Sequence, residues 1–197
     1  MELDHIALTC ADLETGARWL SDRLGVPLLP GGKHARFGTH NRLLGLADGL
    51  YLEVIAPDPS VHMTAPRWFN LDHAPDVPRW GNWICRTTDF TTHAATTGPA
   101  IAMSRGDLQW QITVPQDGSL PMQGAFPTLI RWDKGTAHPA TRLPASGVRL
   151  LRWEVHHPRA RSVSAACGMA DSRVRFVDGS QAHFVAQFET PQGVVTI

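Results

Sequence analysis

Glu53 stands in mid-strand among apolar neighbours, in Tyr51 to Pro57 (YLEVIAP), where a carboxylate is rarely placed for solubility. Just upstream, His40 and Asn41 sit where a loop meets a strand. They can hydrogen-bond a ligand carbonyl or carboxylate, or the Asn side chain can cap a turn. His5 lies in the opening apolar run, Leu3 to Thr9 (LDHIALT). A buried carboxylate is costly alone, so Glu53 requires a metal, a cation or a hydrogen-bond donor. The alternative for it is an ion pair with Arg42 or Arg36; for His5, it is a hydrogen bond near a strand end.

The elements that must position these groups follow from periodicity. Gly38 to Pro57 reads as a hairpin around Asp48-Gly49. A loop of three residues, Ala47-Asp48-Gly49, puts Leu44, Leu46, Leu50, Leu52 and Val54 on one face. Asn41, Leu43, Gly45, Tyr51, Glu53 and Ile55 then share the other, with Leu43 opposite Glu53. A two-residue loop would set Glu53 against Leu44 and mix the faces, so the longer loop, with Gly49 left-handed, is expected. On the first strand, Leu3, His5, Ala7 and Thr9 share a face, and Asp4 falls with Ile6 and Leu8. Asp12 is a helix N-cap, Leu13, Ala17, Leu20 and Leu24 form an apolar stripe, and Gly25 and Pro27 end it.

A ragged strand broken by Pro30-Gly31-Gly32, with His34 in the same Gly-rich loop, precedes the hairpin and completes a β-α-β-β-β unit over about 1–56. Residues 57–81 are a proline-rich connector, expected to lack long regular structure and to bury Trp68 or Phe69. A second unit over about 82–133 has strands at Asn82 to Thr87, Trp110 to Val114 and Thr128 to Trp132, with a short helix from Asp89. A third, over about 148–197, has a strand at Val148 to His156, a helix at Pro158 to Cys167 and three further strands. The order of elements in the third repeats that of the first. His138 before Pro139 and the pair His156-His157 before Pro158 read as turn residues. Trp68, Trp110 and Trp153, of seven tryptophans, are candidates to wall an apolar cleft or to pack a core.

Composition excludes some classes. The formal net charge is zero over 197 residues, which leaves no electrostatic footprint for nucleic acid or an anionic membrane. Cys10, Cys85 and Cys167 are far apart and read as free thiols in a reducing compartment. No stretch resembles a signal peptide or a membrane span, so a cytoplasmic setting is expected. Dinucleotide, P-loop, zincin and nucleophile-elbow patterns are absent.

A strand with His5, a helix, and a hairpin whose last strand carries Glu53 resembles the vicinal oxygen chelate (glyoxalase-like) superfamily. GTHN at Gly38 to Asn41, YLEVIAP at Tyr51 to Pro57, RGDLQW at Arg105 to Trp110 and His138-Pro139 resemble its glyoxalase-like domain proteins. The resemblance implies an α+β fold, a single glyoxalase-like domain of repeated βαβββ modules whose curved mixed sheets enclose a cleft. It implies metal ligands from the first and last strands of a module, here His5 and Glu53, with Glu154 or His156 as a third. The implied cofactor is a divalent metal (Zn, Fe, Mn or Ni). The implied partners are a small-molecule ligand and a second copy of the chain in a homodimer. Asn82, Ile130 and Trp132 occupy the matching places of the middle module.

The function expected is a small-molecule lyase, isomerase or dioxygenase. Glu53 would act as ligand or general base beside His5, with His40, Asn41 and Trp110 contacting substrate. The alternative is a non-catalytic binding or sequestering protein of the same fold. Convergence of His5, Glu53 and a third donor favours the enzyme; an incomplete donor set favours the binder.

Overall fold

The computed structural model describes residues 1–197. The first module is β1 (Glu2–Thr9), α1 (Leu13–Leu24), β2 (Leu29–His34), β3 (Thr39–Gly45) and β4 (Tyr51–Pro57). The second is β5 (Arg79–Arg86), α2 (Ala94–Thr97), β6 (Ala100–Arg105), β7 (Leu108–Thr113) and β8 (Thr128–Trp132). After a short α3 (Pro139–Arg142) come β9 (Arg149–His157), α4 (Ala160–Cys167), β10 (Val174–Asp178), β11 (His183–Thr190) and β12 (Gly193–Thr196).

The first two modules form one curved eight-stranded sheet, ordered β2-β3-β4-β1-β5-β8-β7-β6. In each, the first strand runs parallel to the last, β1 with β4 and β5 with β8. The two first strands pair antiparallel at the centre. The sheet curls until its edges approach: Arg105 of β6 reaches His34 of β2. The fold is thus α+β, with curved mixed sheets enclosing a cleft.

Local chemistry explains α1 and the hairpin. Asp12 accepts from the Thr15 amide at the start of α1, and Gly25 ends it at φ 71°. Leu43 opposes Glu53, Leu44 opposes Leu52, and Leu46 pairs with Leu50 around Ala47-Asp48-Gly49. Gly49 is left-handed at φ 72°, and Asp48 adopts a similar φ of 63°. The outward set, Ile6, Leu8, Leu44, Leu46, Leu50, Leu52 and Val54, packs with α1 in one core. The inward set, including Ala7, Ile55, Ile84, Ile112 and Ile130, forms a second core inside the curve. The connector contributes Trp68 and Phe69 to that inner core, in a kinked 3-10 turn at Trp68–His73.

Two expectations about elements need correction. Residues 100–105 form β6, which sequence reading passed over because Gly98-Pro99 and mixed polarity hide the alternation. The last module repeats the element order but not the pairing: its sheet runs β10-β9-β11-β12, with β9 parallel to the second strand rather than the last. Of the two roles open to Trp153, cleft wall or core, it takes the core. It is fully buried in the outer core, edge-on to Trp80 and stacked on Phe184 where the small sheet covers the large one.

Candidate active site

The inner face of β1 and β4 brings His5 and Glu53 together. His5 Nε2 lies 3.8 Å from Glu53 Oε2, and each residue is 5% exposed. The alternation predicted for both strands is what points them inward, away from α1. Tyr51, two residues before Glu53, stacks on the His5 ring with centroids 4.2 Å apart, its hydroxyl 3.4 Å from Nε2.

Asp4 belongs to this group, although strict alternation assigns it to the outer face. A β-bulge explains the change: Leu3 pairs with Cys85 and His5 with Ile84, so Asp4 is an extra residue on β1. Its fully buried carboxylate lies 2.6 Å from His5 Nδ1. Its other oxygen is 3.0 Å from His138 Nε2 and 3.1 Å from Trp132 Nε1. Burial alone would raise the Asp4 carboxyl, but the hydrogen bonds from His138 and His5, with their charges, hold it well below the usual carboxylate range. His138 is a turn residue, as its place before Pro139 implies: its Nδ1 accepts from the Ala140 amide at the start of α3. That bond leaves Nε2 as the N–H that faces Asp4. The signal available in the sequence was the Asp4-His5 pair itself, a carboxylate beside an imidazole within an apolar strand.

The opposite flank is set by Asn41. Its Oδ1 accepts from the Gly32 amide at 2.7 Å and from Arg105 at 3.3 Å. Its amide nitrogen therefore faces Glu53, donating to Oε1 at 2.5 Å. The break at Pro30-Gly31-Gly32 serves this contact: a Cβ on Gly31 would collide with the Asn41 side chain. Behind Asn41, Arg105 donates to His34 Nε2 at 3.0 Å, and His34 Nδ1 faces the Thr39 hydroxyl at 3.1 Å. Burial pushes the His34 imidazole down to about 3, with Arg105 adding to the effect. Neutral His34 accepts from the guanidinium.

Trp110 is buried on the inner face with Ile112 and Ile130, 5.5 Å from the Trp132 ring. Trp68 closes the cleft from the connector, donating to Thr39 and stacking between Phe37 and Phe69. His40 does not join: alternation along β3 turns it to the opposite face from Asn41, towards Asp12 at the start of α1. Glu154 and His156 do not join either. Trp153 and Val155 face the core, so the intervening positions of β9 face away, where Glu154 pairs with His156 and Arg152. Asn82 is consumed locally by Thr128 and the Trp83 amide. Neither arginine considered for Glu53 pairs with it: Arg42 holds Glu14, and Arg36 donates to the Ala102 carbonyl.

His5 Nε2 and Glu53 Oε2 are close enough to share one bound atom, since ligands about 2.1 Å from a metal can lie about 4 Å apart. A structural or catalytic zinc site, like a facial-triad iron site, takes at least three protein ligands. No three His, Cys, Asp or Glu side chains are grouped to hold a metal ion. Asp4 is spent on N–H donors, and Tyr51 is kept protonated, burial and the Asp4 and Glu53 charges raising its phenol well above its usual value. The residues present do not supply the three protein ligands of a zinc or non-haem iron site.

No curated protein matches the chain. Among solved structures, methylmalonyl-CoA epimerase from Mycobacterium tuberculosis is 17% identical, covering 66% of this chain and 86% of that one at a TM-score of 0.42. A variant of Streptomyces coelicolor methylmalonyl-CoA epimerase in complex with 2-nitronate-propionyl-CoA is 17% identical, covering 66% and 96% at a TM-score of 0.43. The family model described as glyoxalase-like domain matches residues 3–168. The chain therefore belongs to the glyoxalase-like domain family of the vicinal oxygen chelate superfamily.

Proposed function

We propose that the chain is a small-molecule lyase or isomerase that works by proton transfer, with His5 and Glu53 as its acid-base pair. The observation that carries this reading is the Asp4–His5 contact at 2.6 Å beside Glu53. With Nδ1–H donating to Asp4, Nε2 is the ring atom left to face the cleft and exchange a proton there. Asp4 fixes that tautomer and stabilises the imidazolium once Nε2 has taken a proton.

The substrate class is a small carbonyl compound with an acidic neighbouring C–H. As Nε2 takes that proton, the C–H electron pair becomes the C=C bond of the enolate and the carbonyl π pair moves onto oxygen. The Tyr51 hydroxyl, held protonated, donates to the oxygen where charge develops. Glu53, oriented by Asn41, exchanges the proton on re-protonation or on loss of a leaving group. The apolar walls at Ile55, Ile84 and Trp110 exclude water and receive the non-polar part of the substrate. Of the reaction types the family resemblance implies, lyase and isomerase need only the proton transfer that these residues supply.

The test is deuterium incorporation from D2O into a panel of 2-oxo acids, α-hydroxyketones and acyl thioesters, read by mass spectrometry. The native chain should exchange one hydrogen, and Glu53→Gln or His5→Gln should slow it by about 10²- to 10⁴-fold without loss of fold. The donor set that stops at His5 and Glu53, with no third metal-ligating side chain grouped beside them, favours a second reading, a non-catalytic binder. Saturable binding of a panel member with no exchange, unaltered by Glu53→Gln, would establish that reading instead.

A further inference from the structure

Asp4 is held in place by residues 128 and 134 positions further along the chain. On β1 it is the extra residue of a bulge, so the strand's own alternation does not aim it at the site. Three oriented donors do. His5 Nδ1 takes one carboxylate oxygen, Oδ1, at 2.6 Å. Trp132 Nε1 and His138 Nε2 share the other, Oδ2, at 3.1 Å and 3.0 Å. Arg86 adds its charge at 3.5 Å, but its Nε makes no hydrogen bond. Two of the three donors thus come from β8 and from the head of α3.

His138 also touches the other partner of His5. Its ring meets Tyr51 edge-on, with centroids 5.6 Å apart, and Tyr51 stacks on His5. It meets Trp132 edge-on as well, at 5.4 Å. Contact with both rings holds the plane of the imidazole.

The direction of the hydrogen bonds is set at α3. Pro139 has no amide hydrogen, so the first free donor of this helix is the Ala140 N–H. His138 Nδ1 accepts it at 3.3 Å, as an N-cap side chain does. A backbone amide can only donate. Nδ1 must therefore offer a lone pair, and the ring hydrogen sits on Nε2, where Asp4 accepts it. The opposite tautomer would set N–H against N–H at Ala140 and a lone pair against a carboxylate at Asp4, losing both bonds. The same reasoning passes on to His5. With Oδ2 filled by two donors, Oδ1 remains for the His5 Nδ1–H. Nε2 is then the nitrogen turned to Glu53 and the cleft.

We propose that His138 is a positioning residue: with Trp132 it clamps Asp4, and through Asp4 the Ala140 amide decides which nitrogen of His5 faces the cleft. The clamp itself is a matter of geometry; its effect on turnover rests on the proton-transfer reading of the site. The His138-Pro139 pair thereby serves the site as well as the turn, since proline leaves the Ala140 amide as the donor that orders the chain of bonds.

The test begins with the native chain, isotopically labelled, and needs no substrate. A long-range proton–nitrogen NMR correlation of the imidazoles at neutral pH should show His138 protonated at Nε2 and bare at Nδ1. It should show His5 protonated at Nδ1, with a proton that exchanges slowly with water. His138→Phe keeps a ring against Tyr51 and Trp132 and removes both nitrogens; His138→Gln keeps a donor for Asp4. The His5 Nδ1 proton should exchange at least about tenfold faster in His138→Phe and stay slow in His138→Gln. In the deuterium-incorporation assay, kcat should fall at least about tenfold in His138→Phe with KM nearly unchanged, and recover in His138→Gln. A native His138 protonated at Nδ1, or a His5 proton that exchanges in His138→Phe as it does in the native chain, overturns the clamp. A rise in KM at constant kcat also overturns it, because His138 would then bind substrate rather than position Asp4. If the NMR responses appear and no panel member takes up deuterium, the clamp stands and the proton-transfer reading fails.

Discussion

His34 shows how one buried side chain ties the site to pH. It accepts from Arg105 and lies in the inner core, so a proton on it would be unsolvated and repelled. Its folded value near 3 lies below the ordinary 6.5 of the unfolded chain. As pH falls from about 7, the unfolded chain takes up a proton that the folded chain refuses. Stability present at neutral pH is therefore lost progressively below about 6.5, and by pH 5 the loss is about 2 kcal/mol. Asp4 does not mask this window: its depressed carboxyl contributes stability above about pH 4 that is lost only at lower pH. His34→Gln keeps an acceptor for Arg105 and a donor for Thr39 while removing the titration. Denaturant unfolding at pH 7.5 and pH 5 should give the native chain a drop that the variant lacks; parallel drops would place the sensitivity elsewhere. Gly31 allows a sharper probe of the other flank. Gly31→Ala would drive a methyl into the Asn41 side chain, costing about 1–3 kcal/mol and releasing the amide from Glu53. Under the proton-transfer reading, it should lower turnover without touching either acid-base residue.

The β3–β4 hairpin was legible in the sequence because two requirements agreed there. Only the three-residue loop kept Glu53 off the leucine face, and the observed register pairs Leu43 with Glu53. The inward aim of His5, Glu53 and Asn41 followed from the same alternation. What alternation could not yield was Asp4, since a bulge is a local insertion that breaks the period without changing composition. His40 failed for the converse reason: its neighbour Asn41 faces inward, so a regular strand had to turn His40 out. Arg105 and His138 reach the site from parts of the chain distant in sequence, and no local pattern reports a contact of that kind. The loop itself gives a clean test of backbone cost. Gly49 has φ 72°, and an added Cβ would meet nothing within 4 Å. Gly49→Ala should therefore cost about 1 kcal/mol from backbone strain alone. A lowered melting temperature with unchanged Leu43–Glu53 pairing by NMR is the expected result, and a shifted register would show that the glycine sets the pairing as well.

At the scale of the whole molecule, the large sheet is shielded on one side by α1 and the small sheet and curled shut on the other. No helix is long and apolar enough to cross a membrane. The small sheet packs Trp153, Val155 and Phe188 into the core that α1 also covers, so it supports the site without supplying a residue to it. Closure of the curl rests on a contact between modules. Arg105, at the end of the edge strand β6, donates to His34 and Asn41 of the opposite edge, and its stem lies against Gly32. One guanidinium nitrogen bridges both acceptors, a geometry that a lysine ammonium on a different stem does not reproduce. The bond to Asn41 also fixes which way that amide faces, so closure and the orientation of Glu53 are one event. Arg105→Lys keeps the charge and loses the bridge. Hydrogen exchange should then quicken in β2 and the first residues of β3 while α1 and the β1–β5 pairing stay protected. In the same variant, any reaction dependent on Glu53 should slow. If exchange in β2 is unchanged, the edges are held by the inner apolar core alone, through Phe37, Trp68 and Met103, and Arg105 serves only to orient Asn41.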